Sequence, residues 1–245
     1  MREQCVEGIV LKSFPCKEFG RVTYLFTFDR GIVTFFTKCI SKNRPSISNL
    51  TSPLCRAEFV LQTKRSNLRY FIDGTILDLH LDLRQSYERL QCAGRMLNLI
   101  LTSQMPEKPA PALYTLLTTY LKHLPAFSSL APLWASFQLK LLKHEGLLFV
   151  EEICSTCSKV RASHLMEGES RCLKCAKNGR SFPFSEQDWK MLLCLFHARR
   201  INTLKRVAVN AELLRNIEML YKSKIETPHE TVRSLRVRVN TETIS

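Results

Sequence analysis

Residues 21–39 read R-V-T-Y-L-F-T-F-D-R-G-I-V-T-F-F-T-K-C. Large apolar side chains at positions 22, 24, 26 and 28 alternate with Thr23, Leu25 and Thr27. This period of two is typical of a half-buried strand. Asp29-Arg30-Gly31 is a short turn in which Gly31 is available for a positive φ, and a second β-rich run follows it. The stretch therefore predicts a β-hairpin.

The hairpin lies in a strand-rich N-terminal segment. The first 80 residues hold 8 of the 14 phenylalanines and many β-branched residues. Together with the hairpin they predict five strands, at residues 4–14, 21–28, 32–39, 54–63 and 67–79. Residues 43–53 are rich in Ser and Asn and contain Pro45, which predicts a loop. Five strands with short connections indicate a small closed barrel, with the OB-fold as the leading candidate.

After Leu79 the pattern changes to that of helices. Leucine and aromatic residues at helical spacing predict helices over residues 81–105, 113–124 and 132–148, with prolines between the first two. Ser185 with Asp188 forms a capping-box pattern at the start of another helix. Asn210 caps a last helix, Pro228 ends the helical region, and residues 232–245 are an edge strand or a loose tail. The sequence predicts an α+β protein.

The cysteines divide the helical part of the chain. Cys154 and Cys157 form one CxxC pair, and after 14 intervening residues Cys172 and Cys175 form another. The predicted domains are a barrel at 1–80, helices at 81–152, a zinc module at 153–178, further helices at 179–228 and a tail at 229–245. The fold class is thus a five-stranded OB-fold barrel followed by a helical domain with an inserted four-cysteine module.

Two CxxC turns can direct four thiolates at one ion, which is the closed tetrahedral coordination of structural zinc. We expect one zinc ion per chain, with no open position for catalysis. The alternatives are two redox-active or disulfide-bonded pairs, or an iron–sulfur cluster. Nearby cations can offset the thiolate charge; they are Lys159, Arg161, Arg171, Lys174 and Lys177. The six other cysteines are scattered and fit small buried hydrophobic positions.

Charge indicates a polyanionic partner, either nucleic acid or an anionic membrane surface. The chain of 245 residues has 36 Lys+Arg and 22 Asp+Glu, a net charge of +14. Residues 38–69 hold seven basic residues against the single acid Glu58, a surplus of +6. We predict that these seven bind DNA: Lys38, Lys42, Arg44, Arg56, Lys64, Arg65 and Arg69. Aromatic residues are interleaved, as in single-strand binders, although most of the rings in so small a barrel belong to its core.

Several other functions lack support in the sequence. The N-terminus has no apolar signal-peptide core, and no window has the roughly 20 apolar residues of a membrane span. A cytoplasmic location, in which thiols stay reduced, is therefore expected. The chain has no phosphate-binding glycine loop, GxSxG or HExxH. We expect a protein that is not an enzyme.

Three short motifs follow one another in the N-terminal segment: V-E-G-I-V-L-K at 6–12, G-R-V-T-Y-L-F-T at 20–27 and D-R-G-I-V at 29–33. Motifs in this order resemble the RecO family of bacterial recombination mediators. The family continues with a basic Lys-Gly-Ala-Arg-like stretch. Lys38 matches it, whereas Cys39 and Ile40 depart from its Gly and Ala. The four cysteines match the members that retain all four, and the resemblance covers most of the chain.

The resemblance implies a DNA repair protein that binds single- and double-stranded DNA and anneals complementary strands. It also implies binding to the acidic tail of single-stranded DNA-binding protein and cooperation with RecR to load RecA. Helix-borne cations are candidates for the rim of a groove that takes such a tail: Arg89, Arg95, Lys122, Lys140 and Lys143. The alternatives are a zinc-ribbon regulatory factor that does not anneal strands and a metal-dependent nuclease.

Overall fold

The computed structural model describes residues 2–16, 20–38, 45–63, 68–177 and 179–225. The chain divides into two compact units, with the division between Leu130 and Ala131. The first unit contains the N-terminal strands and the helices that follow them. The second contains the remaining helices and the cysteine segment. The domain limits inferred from the sequence, including the one at residue 80, stay predictions.

The five N-terminal strands are β1 (Arg2–Cys16), β2 (Gly20–Thr27), β3 (Gly31–Thr37), β4 (Arg56–Thr63) and β5 (Arg69–Asp78). They close into a barrel in the order β1-β2-β3-β5-β4. Neighbouring strands are antiparallel except β3 and β5, which pair in parallel where Phe36 is opposite Tyr70. The predicted α+β class, with a five-stranded OB-type barrel before the helices, is confirmed.

In β2, the residues that face the barrel interior are the smaller set of the alternating pattern. Thr23, Leu25 and Thr27 are buried, and Leu25 packs in the core with Phe35 and Phe59. Thr27 satisfies its hydroxyl locally, because it donates to the carbonyl of Gly31 at 3.0 Å and accepts from the N–H of Arg30 at 3.1 Å. The threonine thus closes the predicted turn from inside.

The prediction of a loop over residues 43–53 was wrong in part. A short helix, α1 (Pro45–Leu50), lies within it, and Leu50 is buried in the barrel core. The polar composition favours a loop locally, but burial of one leucine at the end of a helical turn outweighs that preference. Residues 43 and 44 lie outside the described ranges.

Three helices follow the barrel: α2 (Leu81–Arg84), α3 (Tyr87–Ser103) and α4 (Pro111–His123). The single helix predicted over 81–105 is therefore two, because Ser86 caps α3 by accepting from the N–H of Arg89. Helix α3 packs against β1 and α4 against β2. In the contact between α4 and β2, the ring centres of Tyr114 and Phe26 lie 5.7 Å apart.

The second unit is built around α5 (Ala131–His144), which packs against α6 (Glu186–His197) and α7 (Ala211–Ile225). Helix α5 ends before the predicted residue 148, since Gly146 adopts a φ of +69°. Asn210 caps α7 as predicted, accepting from the N–H of Leu213 at 2.7 Å.

Ser185 also caps α6 as predicted, accepting from the N–H of Asp188 at 3.1 Å. The return bond differs from the usual capping box, because the Ser185 hydroxyl itself donates to the Asp188 carboxylate at 2.7 Å. The other carboxylate oxygen accepts from the side-chain amide of Asn210 at 2.9 Å. One buried aspartate thus ties the caps of α6 and α7 together.

Between α5 and α6 lies a small antiparallel sheet made of β6 (His164–Met166), β7 (Glu169–Arg171) and β8 (Ser181–Pro183). The cysteine pairs flank β6 and β7. Pro228 and the predicted tail at 229–245 lie outside the described residues. Among the helices described, none is long and apolar enough to cross a membrane.

Candidate metal centre and nucleic-acid surface

The two CxxC pairs form two equivalent turns. In the first, the N–H of Ser158 donates to the carbonyl of Cys154 at 2.9 Å. In the second, the N–H of Ala176 donates to the carbonyl of Cys172 at 3.0 Å. Each turn directs its two sulfurs to the same side. Ser158 has a φ of +51°, which the tight first turn imposes on a residue other than glycine.

The four sulfurs of Cys154, Cys157, Cys172 and Cys175 all lie within 4.8 Å of one another. The sulfurs of Cys157 and Cys172 are 4.0 Å apart, about twice the length of a disulfide bond. Sulfurs bound at about 2.3 Å around a tetrahedral ion lie about 3.8 Å from each other. The donor set and its spacing therefore fit one metal ion, and the four predicted ligands come together.

The thiols of this cluster differ in acidity. Burial opposes ionisation of Cys154, but backbone N–H groups of Cys157, Cys172 and Thr156 donate to its sulfur and lower its pKa to about 6. The sulfurs of Cys172 and Cys154 instead raise the pKa of Cys175 to about 12. Like charges this close repel each other, so a cation is required before all four sulfurs ionise together.

The cysteine cluster is anchored to the strands beside it. Ser155 donates its N–H to the carbonyl of Ser170 at 2.8 Å, and the N–H of Glu151 donates to the Ser170 hydroxyl at 2.8 Å. Two predicted cations are paired with carboxylates, Arg171 with Glu169 at 2.7 Å and Arg161 with Glu152 at 3.5 Å. The other three are exposed: Lys159, Lys174 and Lys177. The charges around the cluster are therefore mixed.

A second candidate site lies on the barrel. Lys38 is exposed at the end of β3, and its Nζ lies 5.7 Å from the centre of the Tyr70 ring, within cation–π range. A cleft of about 190 Å³ opens beside these two residues. It is lined by Thr37, Lys38, Ile47, Gln62, Tyr70, Phe71 and Ile72. A cation, an aromatic face and a small cleft thus meet at the junction of β3 and β5.

Comparison with known proteins identifies the family. A family model described as "Recombination protein O N terminal" matches residues 1–80, and one described as "Recombination protein O C terminal" matches residues 84–233. The chain belongs to the RecO family of DNA repair proteins. The expected resemblance is confirmed over both parts of the chain.

Individual relatives agree with the family models. The DNA repair protein RecO of Chlamydia pneumoniae is 30% identical over 206 residues, which cover 83% of this chain and 81% of the relative. The RecO protein of Chlamydia muridarum is 26% identical over 82% of this chain and 86% of its own. That of Syntrophomonas wolfei is 25% identical over 86% and 85%.

The structure of this RecO family member describes three of the seven residues predicted to bind DNA. Arg56 forms an ion pair with Glu7 at 3.0 Å, and Glu7 also accepts from the Tyr114 hydroxyl at 3.0 Å. Arg69 pairs with Glu107 at 2.8 Å and lowers the pKa of that carboxyl. Lys38 alone of these three has no carboxylate within ion-pair distance in the described part of the chain. The other four lie outside it: Lys42, Arg44, Lys64 and Arg65.

The five partner-binding candidates are divided between the two units of the chain. Arg89 and Arg95 are on α3 and Lys122 is on α4. Lys140 and Lys143 are on α5, where the Lys140 ammonium donates to the carbonyl of Ala198 at 2.6 Å and burial lowers its pKa. Lys143 lies over the Phe196 ring at 4.7 Å. Lys140 therefore also caps the end of α6.

Sequence reasoning did not find which rings face outward. Phe36 and Tyr70 pair edge to face at 6.0 Å, and Phe14 and Tyr24 pair at 6.0 Å. The alternation in β2 and β3 contained the relevant signal, since residues two apart share a face. It did not say which face is inside, because in β2 the face with the larger side chains is the outer one.

Proposed function

We propose that this protein binds single- and double-stranded DNA and anneals complementary strands. With RecR, it helps load RecA onto single-stranded DNA coated by single-stranded DNA-binding protein. The proposal is supported by membership of the RecO family together with one observation, the exposed Lys38 beside Tyr70 on an OB-type barrel. The net charge of +14 supplies the electrostatic requirement.

Annealing brings two polyanions together. Cations on the protein reduce the repulsion between phosphate backbones and release condensed counterions, so affinity falls as salt rises. Lys38, Lys42 and Arg44 follow one another closely after β3 and form the proposed centre of this contact. The proposed contact is extended by Arg56, Lys64, Arg65 and Arg69. Arg56 and Arg69 exchange their carboxylate partners for phosphates when DNA binds.

The metal is proposed to be zinc, one per chain, held by Cys154, Cys157, Cys172 and Cys175. Zinc accepts four thiolates in a tetrahedron and has no redox chemistry of its own, so its contribution is stability. Chemistry at this ion would need an open coordination position, and four thiolates fill all of them. We accordingly propose a protein without catalytic activity.

The acidic, apolar-ended tail of single-stranded DNA-binding protein is the proposed ligand of a groove rimmed by helix-borne cations. Arg89, Arg95 and Lys122 are candidates in the first unit, and Lys140 and Lys143 in the second. A cytoplasmic location next to the nucleoid follows from these partners.

The deciding experiment measures annealing of complementary oligonucleotides, bare and coated with single-stranded DNA-binding protein, over a salt series. Annealing faster than in buffer, and weaker at high salt, is the expected result. A rate equal to that in buffer at every salt concentration would contradict the mediator function. Binding with strong sequence preference but no annealing would instead indicate a zinc-ribbon regulatory factor, and divalent-dependent cleavage would indicate a nuclease.

The proposed DNA contact has its own test. Replacing Lys38, Lys42 and Arg44 together by alanine should lower DNA affinity and flatten its dependence on salt. An unchanged slope would move the contact away from this segment. Lys159, Lys174 and Lys177, replaced together by alanine, form a control with the same loss of charge in the second unit.

A further inference from the structure

Among the described strand residues, four aromatic rings lie exposed or half-buried on the outer surface of the barrel, while other rings fill its interior. Phe35 and Phe59 occupy the core, with Phe71 packed against them. Outside, Phe14 is 36% exposed and Tyr24, Phe36 and Tyr70 are half-buried. These outer rings form two pairs, Phe14 with Tyr24 and Phe36 with Tyr70.

The strand register places both pairs on one face. Phe14 on β1 is opposite Val22 on β2, Val22 is opposite Phe36 on β3, and Phe36 is opposite Tyr70 on β5. Neighbouring strands are about 4.8 Å apart, so this row crosses four strands over roughly 14 Å. The two ring pairs thus lie one after the other along this row, with Val22 between them. We call each pair a platform and the whole row the track.

The charge along the track suits a polyanion. Lys12 on β1 is opposite Tyr24, and Lys38 lies over Tyr70. The row from Phe14 to Tyr70, with these two lysines, contains no carboxylate. Ile72 continues the apolar surface on β5 and is 48% exposed. A cleft of about 190 Å³ opens beside Tyr70.

We infer that the pairs Phe14–Tyr24 and Phe36–Tyr70 form a two-platform track that stacks unpaired bases and makes the barrel prefer single strands to duplex. The inference rests on the proposed DNA binding and names the residues that set strand preference. Every base has a π face for stacking once it is unpaired, whereas in a duplex these faces are covered by neighbouring pairs. The lysines contact phosphates of either form.

Cross-strand aromatic pairs also stabilise sheets, and this role must be separated from ligand binding. Phe36 has a structural task, since its ring covers Gly20 so closely that a Cβ there would lie 2.3 Å from it. Tyr70 and Phe14 are therefore the better positions to change. Leucine keeps bulk and removes the π face. Tyr87 on α3 is 73% exposed and provides the matched control.

The test compares Tyr70→Leu, Phe14→Leu and Tyr87→Leu in the full chain. The probes are oligothymidine of about 16 nucleotides, a duplex of equal length, and an abasic strand of equal length. Tyr70→Leu and Phe14→Leu should each weaken oligothymidine binding by about tenfold, with duplex binding and the salt slope unchanged. Tyr87→Leu should match the parent chain, and the abasic strand should bind all four proteins alike.

The outcomes separate the two hypotheses. If the parent chain binds neither single strands nor duplex, the proposed DNA binding fails. If it binds both and the variants lose affinity for the two forms equally, or for neither, DNA binding stands and the track is wrong. Photocrosslinking of iodouracil-substituted oligonucleotide to the parent chain needs no variant to fold. Crosslinks at Tyr70, Phe36, Tyr24 or Phe14 support the track, and crosslinks confined to other residues overturn it.

Discussion

At the scale of single residues, the cysteine cluster shows how a local pattern becomes a site. Two turns of the same kind direct sulfurs inward, and a hydrogen bond from Ser155 to Ser170 joins the first turn to β7. The two turns are separated by 14 residues, so the unfolded chain does not hold the four sulfurs together. Metal binding therefore contributes its free energy to the folding of this segment.

Changing Cys175 to serine should therefore remove the metal. A hydroxyl is a poor substitute for a thiolate, and three ligands hold zinc far less tightly than four. We expect loss of the single bound equivalent in elemental analysis and a lower melting temperature, with a loss of several kcal/mol in stability. Cys5→Ser, at an exposed thiol outside the cluster, is the control and should keep its metal. Full metal retention in Cys175→Ser would contradict this assignment of ligands.

Buried thiols elsewhere predict a dependence on alkaline pH. Burial raises the pKa of Cys55 and of Cys92 from 9.0 to about 11. Between these values the unfolded chain loses protons that the folded chain keeps, so stability should fall as pH rises from about 9 to about 11. The loss is at most about 1.4 kcal/mol per pH unit for each thiol.

Denaturant unfolding of the parent chain and Cys92→Ala across this pH range checks the effect. The variant should start less stable, since it leaves a small cavity, but should lose less stability as pH rises. Cys5→Ala should behave like the parent chain. Parallel pH profiles for all three proteins would mean that burial does not govern the acidity of Cys92.

At the scale of elements, the turn between β6 and β7 depends on one glycine. Gly168 has a φ of +91°, and a Cβ there would lie 2.2 Å from the carbonyl oxygen of Leu147. The same segment is held by a hydrogen bond of 2.7 Å from the N–H of Phe149 to the carbonyl of Gly168. The turn therefore packs backbone against backbone, where no side chain fits.

Gly168→Ala should destabilise the second unit and weaken metal retention. Gly146→Ala is the matched control, because Gly146 also has a positive φ, but a Cβ added there would meet no atom of the described residues within 4 Å. The control should lose only about 1 kcal/mol from backbone strain, and Gly168→Ala should lose clearly more. Thermal unfolding with metal analysis measures both. Equal losses would show that the contact with Leu147 relaxes freely.

At the scale of the whole molecule, the net charge of +14 favours DNA binding mainly through cations that are not paired with carboxylates. Arg56 and Arg69 each pair with a glutamate in the first unit. Lys38 is exposed beside an aromatic ring instead. A count of basic residues in a segment therefore overestimates the number of unpaired cations that can bind phosphate.

The salt dependence of DNA binding should distinguish these two classes of cation. Lys38→Ala should reduce the slope of log affinity against log salt by about one contact, with little change in melting temperature. Arg56→Ala should reduce the slope less than Lys38→Ala does, because Glu7 competes with phosphate for Arg56. It should also lower the melting temperature, because Glu7 loses its ion pair and keeps only the hydrogen bond from Tyr114. The reverse result would place Arg56, and not Lys38, at the phosphate contact.

The sequence alone determined the features that depend on neighbours along the chain. Cysteine spacing predicted the cluster because thiolate coordination requires two turns of that form. Alternation and the Asp29–Gly31 turn predicted the hairpin, and Ser185 and Asn210 predicted helix caps from their local hydrogen bonds. Motif order indicated the family. None of these inferences requires contacts between distant segments.

Tertiary structure decided what depends on pairing across the barrel. Glu7 meets Arg56, and Phe36 meets Tyr70, because strand register brings distant segments together. Arg69 meets Glu107 because the segment after α3 bridges to β3, where the N–H of Glu107 donates to the carbonyl of Ile32. Burial of Leu50 likewise gave a helix where polar composition predicts a loop. The larger side chains of β2 lie on the outer face of the barrel, opposite to Thr23, Leu25 and Thr27, so closure of the barrel determined which rings face the solvent.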